Sequence, residues 1–272
     1  MSASFLEPAL TAIALCWRLE RRDGVAMGFT AHDRDLFVDG LVYRAAPGML
    51  PAAVSQTEGF ALDTLEIEGA LTNDAINAAD LKAGRWDGAA IRLFMTDWEA
   101  PGAETLILAR GELGEVTLKG DGFEAEVRGP TALLDAAVVG QTSPECRAML
   151  GDRRCRVDMA GRTRATRIAA VIADDVIDVE AAAPGDAHGQ GRLRWLGGAN
   201  SGLESALLSS DGERLTLREP PPFAPAAGDL VEISEGCDKS LATCSGRFAN
   251  AANFRGEPHL PGIDLLTRYP GA

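Results

Sequence analysis

Four cysteines in the second half of the chain are the residues best suited to chemistry. They fall in two pairs. Cys146 and Cys155 are separated by eight intervening residues in SPECRAMLGDRRC, and Cys237 and Cys244 by six in EGCDKSLATCSGRF. Between the pairs run 81 residues. Four thiolates close a tetrahedral zinc site or hold an iron–sulfur cluster. Structural zinc knuckles use gaps of about two to four residues, so that one turn presents both sulfurs to one ion. Gaps of eight and six suit a larger group met by separate loops, and they still permit zinc. Spacing alone leaves an iron–sulfur cluster, zinc, and free or paired cysteines all open. Arg147, Arg153, Arg154, Arg156, Arg162, Arg164 and Arg167 gather beside the first pair. They read either as a solvated patch or as cations that offset a negative metal–thiolate group.

Other reactive residue types are sparse. Cys16, in the apolar run ALCW, reads as a buried small hydrophobe. His32 neighbours Asp33 and Asp35, but an Asp-rich stretch of this kind caps turns. His188 lies in a Gly-rich loop and reads as exposed, and His259 sits between prolines without a partner nearby. Phe248 and Phe254, with Arg247 and Arg255, read either as a cover over the cysteine site or as a small satellite core. There is no phosphate-binding glycine loop, no nucleophile elbow and no zinc-protease helix motif. The sequence predicts no catalytic residue and no enzyme.

Composition narrows the class of protein. A chain of 272 residues makes one large domain or two of ordinary size, and 46 % apolar with 24 % charged residues is the composition of a folded chain. No apolar stretch approaches the roughly 20 residues of a membrane span. The segment MSASFLEPAL lacks the basic start of a secretory signal, so folding in the cytoplasm, without disulfides or membrane insertion, is expected. The net charge is −14, with 22 acidic against 11 basic residues in 1–140 and 18 against 15 in 141–272. That balance argues against a nucleic-acid-binding surface.

The elements that must position the cysteines are mainly strands. Hairpin signals occur at Asp23-Gly24, Asp39-Gly40 and Gly120-Asp121-Gly122. IRLFMTDW and TLILARGEL read as further strands. Two helical stretches interrupt them: LTNDAINAADLKAGRW, with Asn73 or Asp74 as N-cap, and GPTALLDAAVV. A domain boundary is placed at Gly140, giving domains 1–140 and 141–272. Within the second domain, about five strands between residues 160 and 235 predict a small antiparallel barrel or sandwich, with turns at Asp174-Asp175, Gly197-Gly198 and Asp211-Gly212. The fold class is mainly β with minor helix.

Several stretches together carry a family resemblance. GCDKSLATCSGRF followed by NAANFRGEPHLPG (250–262) resembles the signature of the conserved phage proteins of the BR0599 type. FTAHDRDL (29–36), LVYRAAPGM (41–49), LEIEGALTNDAINAADLKAGRWDGA (65–89) and SPECRAMLGDRRCRVD (143–158) resemble the same family, so the likeness runs nearly the whole chain. Its members occur at siphophage tail tips and in gene transfer agents, and are similar in role to the lambda tail-tip protein L, which ends in a four-cysteine iron–sulfur domain. The resemblance implies a tail-tip hub protein, with a barrel-like N-terminal hub domain that forms a homotrimeric ring continuing the tail tube. It implies a [4Fe–4S] cluster on Cys146, Cys155, Cys237 and Cys244, zinc being the alternative. The implied partners are the distal tail protein and a central tip or fibre-type protein, with DNA only passing through the lumen. The insertion between the two pairs is longer here. The site survives it if the two ends of the inserted barrel lie close together.

Overall fold

The computed structural model describes residues 4–45, 50–54, 64–70, 76–119, 122–129 and 140–260. The expected helix over 130–139, the Gly120-Asp121 turn, Asn73, Asp74 and the last residues of the 250–262 motif lie outside them. The chain divides into two compact units, Met1–Val138 and Val139–Ala272. Both are built mainly of strands, as the sequence predicts.

Among the described residues, unit one holds nine strands: β1 (Ile13–Glu20), β2 (Ala26–Thr30), β3 (Leu36–Val38), β4 (Leu41–Ala45), β5 (Leu50–Val54), β6 (Thr64–Ala70), β7 (Ala90–Asp97), β8 (Thr105–Lys119) and β9 (Gly122–Arg128). They form one sheet in the order β3-β4-β2-β1-β7-β8-β9-β6-β5, antiparallel except where β2 meets β4. Alternation along β1 explains why this sheet is buried on both faces. Trp17 and Leu19 join Phe29, Trp86, Ile91 and Leu93 on one side, while Ala14 and Cys16 join Leu36, Val38, Tyr43 and Phe94 on the other. Cys16 is fully buried, as expected of a small hydrophobe. Asp39-Gly40 turns β3 into β4 with both residues at positive φ, 49° and 78°, which an Asp-Gly pair tolerates. The helix α1 (Ala78–Lys82) is capped by Asn77, whose Oδ1 accepts the Asp80 N–H at 2.8 Å. TLILARGEL, expected as one short strand, runs on to Lys119 as the single strand β8. A register shift against β9 between Leu113 and Val116 absorbs the glycine interruption.

Unit two holds a closed six-stranded barrel: β10 (Thr163–Ala173), β11 (Val176–Val179), β12 (Arg192–Trp195), β13 (Glu204–Asp211), β14 (Arg214–Leu217) and β15 (Leu230–Ser234), in the order β10-β11-β14-β13-β12-β15. Closure depends on β10, which pairs with β15 over Thr163–Arg167 and with β11 over Ile168–Ala173. Leu193, Trp195, Ile168, Ile177, Leu207, Leu215, Val231 and Ile233 fill the interior. One expectation is corrected here. His188 is buried, with 2 % of its surface exposed, because the loop that carries it folds back against β13 and its backbone N–H donates to Ser210 Oγ at 3.0 Å. Among the described residues, no helix is long and apolar enough to cross a membrane.

Candidate metal centre

The barrel brings the two cysteine pairs together. Its first and last strands are neighbours, with Thr163 opposite Ser234, and the Glu235 N–H continues the ladder to the Arg162 carbonyl at 2.9 Å. The 81-residue insertion therefore leaves and returns at one place. Cys155 lies eight residues before β10 and Cys237 three after β15, so both arrive at the same end of the barrel. Gly236 makes the close passage possible. A Cβ there would lie 1.9 Å from the Gly189 carbonyl oxygen, so only glycine fits between β15 and the 187–191 loop.

Cys146, Cys155 and Cys244 are each held by a local device. The Cys146 N–H donates to the Lys239 carbonyl at 2.9 Å, and its sulfur accepts the Arg255 N–H at 3.4 Å. An extended pairing of 143–147 with 255–257 fixes that segment, through Glu257 N–H to Ser143 O at 2.8 Å and the ion pair of Arg147 Nη2 with Glu257 Oε1 at 2.7 Å. The Arg147 guanidinium holds the Glu257 carboxyl well below its ordinary range, at about 2. Cys155 closes a turn organised by Asp152, whose carboxylate accepts N–H groups from Met149, Arg154 and Cys155. Those backbone donors, Cys155 first, push the Asp152 pKa down. Cys244 lies in the helix α2 (Leu241–Gly246), capped by Ser240, with Asp238 accepting from Ser240 and Thr243.

Asn250 ties the two pairs to each other. Its Nδ2 donates to the Cys155 carbonyl at 2.6 Å and reaches the Cys155 sulfur at 3.8 Å. Its backbone N–H bonds the Cys244 carbonyl at 2.9 Å, and its own carbonyl accepts from the Cys244 thiol at 3.4 Å. Asn250 opens the NAANF motif, yet sequence reasoning assigned it no role, because its partners lie 95 and 6 residues away and no spacing rule links them. Among the described residues, three of the five non-glycine residues with positive φ flank the site: Arg156 at 62°, Lys239 at 63° and Ala249 at 49°. Backbone of this kind is costly and gathers where geometry is being imposed.

The electrostatics are those of crowded thiols. Burial pushes Cys237 and Cys244 up, and the charges of Cys146, Cys155 and Cys237 push Cys244 further in the same direction. Cys244 therefore feels all three of the other sulfurs. The Arg255 N–H donates to the Cys146 sulfur, a donor of the kind that tunes thiolate ligands, and the Lys239 backbone N–H offsets part of the upward push on Cys237. The arginines are largely engaged elsewhere. Arg162 and Arg247 both pair with Glu235 at 2.7 Å and enclose the Phe248 ring at 5.1 and 4.9 Å, while Arg167 donates to the Gly228 carbonyl. Arg147 also feels the Cys146 charge. His259 is exposed, and His32 stacks against Trp98 at 5.3 Å, with its Nδ1 accepting the Arg34 N–H.

The donor set fits a four-thiolate group. A single zinc at about 2.3 Å from each sulfur would draw the sulfurs to within roughly 3.8 Å of one another. Among the described residues, no three His, Cys, Asp or Glu side chains are gathered tightly enough to hold one ion. Four thiols carried by separate segments are a donor set that suits either a four-thiolate zinc ion or an iron–sulfur cluster.

A hub class of phage proteins is the one that matches. Residues 2–158 match the family described as baseplate hub protein, N-terminal attachment domain, and residues 186–264 match the phage conserved hypothetical protein BR0599 family. The chain belongs to the baseplate hub family. Among solved structures it is similar to a chain of the virion of a native gene transfer agent particle, with 38 % identity and a TM-score of 0.85 over 98 % of this chain and 94 % of that one. No curated protein matches it significantly.

Proposed function

We propose that this chain is a structural hub protein at the tail tip of a phage-like particle, a gene transfer agent or a siphophage. In this reading it forms a three-fold ring that continues the tail tube and holds a structural [4Fe–4S] cluster on Cys146, Cys155, Cys237 and Cys244. The observation that carries it is the likeness, along almost the whole chain, to a protein of an assembled gene transfer agent particle. A closed ring repeats one heterologous interface head to tail. The distal tail protein and a central tip protein would adjoin the ring, and the acidic balance of residues 1–140 suits a lumen along which DNA slides without sticking. The role is structural, without catalysis.

The residues divide the work at the cysteine site. The four thiols bind as thiolates, the Arg255 N–H orients the Cys146 sulfur, and Asn250 locks Cys155 to Cys244 by donating from its Nδ2 and its backbone N–H to their carbonyls. When bound, the cluster supplies cross-links between four separate segments and adds its binding energy to the stability of the fold. Anaerobic purification tests this. A brown protein absorbing near 400 nm, with iron and sulfide in equal amounts, is the expected result. A colourless protein carrying one equivalent of zinc would overturn the cluster assignment.

A further inference from the structure

The register of the N-terminal sheet sets three arginines in a row. Arg18 on β1 lies opposite Arg92 on β7, and Arg92 lies opposite Arg110 on β8. Directly opposed residues share a face of the sheet, and like charges so placed repel. The chain compensates them only in part. Glu20 accepts from Arg18 at 3.3 Å, and Asp39 stands 3.9 Å from Arg92, at the outer limit of an ion pair. Glu112 shares the face of Arg110 but lies opposite Arg128 on β9. Among the described residues, Arg110 forms no ion pair, and it is exposed. The Nε of Arg92 is buried without a hydrogen-bond partner. Beside the row is a cavity of about 340 Å³, lined by all three arginines together with Glu20, Ala90 and Gly111.

We propose that this row is a carboxylate-binding site that receives an acidic side chain of the adjoining copy in the ring. The inference rests on the ring reading above. Guanidinium forks match carboxylates bidentately, and the exposed Arg110, with no ion pair of its own among the described residues, has its fork to give. Charge complementarity identifies the source. Residues 1–140 carry 22 acidic against 11 basic residues, so a second copy presents the acidic surface that the row lacks, and a head-to-tail interface joins two different patches. Duplex DNA is the weaker fit, because the acidic excess of residues 1–140 as a whole repels phosphates.

Sedimentation of the full-length protein across a concentration series, in about 50 mM and about 500 mM salt, tests the site. Two variants serve, Arg110→Glu and Arg92→Gln. Arg110 is exposed, so Arg110→Glu keeps its circular-dichroism spectrum even if Arg92→Gln loosens the sheet. Wild-type protein is expected to self-associate, more tightly at low salt, and Arg110→Glu to weaken that association about tenfold or more. If Arg110→Glu associates like wild type, the carboxylate site is wrong and the ring reading stands. A wild-type protein that stays monomeric throughout defeats the ring reading, and the site with it. Retention of duplex DNA by wild type but not by Arg110→Glu would assign the row to phosphate and overturn the proposal.

Discussion

A single buried imidazole gives the barrel a pH dependence. His188 is shut in below the barrel, its Nε2 accepting the Ala183 N–H at 3.0 Å, which leaves the proton on Nδ1. Burial pushes its pKa down. Arg164 and Arg247 push the same way, against the Ser234 backbone and Glu235. In the unfolded chain the imidazole titrates at about 6.5. Below that pH the unfolded state binds the proton and the folded state does not, so stability falls as pH drops from about 6.5 toward the lower folded value. The barrel should therefore melt earlier at pH 5.5 than at pH 7.5. His188→Gln, which keeps an acceptor near Ala183 but cannot titrate, should lose much of that difference. An equal drop in melting temperature for both proteins would show that other groups set the pH dependence. The four cysteines could be read from residue type and spacing. The burial of His188 could not, because it is imposed by Ser210 on a strand 22 residues away.

The strands and turns were more legible than the packing between them. Dipeptides such as Asp23-Gly24, Asp39-Gly40 and Asp211-Gly212 announce hairpins because few other pairs accept their backbone, and each of these turns joins strands here. The barrel was legible as a count of short alternating strands, its closure only once β10 was seen to serve two partners. Least visible was the role of Gly236, an ordinary glycine beside a cysteine in the sequence. Its backbone touches Gly189 and Gly191, and its N–H bonds the Ala187 carbonyl at 3.1 Å. Gly236→Ala should push the cysteine-bearing segment off the barrel and cost about 3 kcal/mol, at the upper end of overpacking penalties. Chemical denaturation would measure it. The clash is with backbone, so no rotamer change relieves it, and a loss under about 0.5 kcal/mol would mean that the loop yields instead.

At the scale of the whole molecule, the two compact units make opposite demands on the cysteine site. Unit one buries both faces of its sheet with side chains of its own, so its stability does not depend on the thiols. In unit two the barrel also has a filled interior, but 140–160 and 236–260 contain only short helical turns, α2 being six residues long. Those segments are held by hydrogen bonds to one another, at Cys146–Lys239, Arg147–Arg255 and Cys155–Asn250. Segments with few buried apolar contacts are the first to open, and a bound group on four thiols is what would keep them closed. Cys237→Ser removes one ligand and leaves the hydroxyl where the sulfur was, so packing changes little. Limited proteolysis of that variant should cut within 140–160 or 236–260 while a fragment covering unit one stays intact. The barrel strands should resist longer than the segments that carry the cysteines. Simultaneous loss of both units would mean that they fold as one, and full resistance would mean that the thiols hold nothing the fold needs.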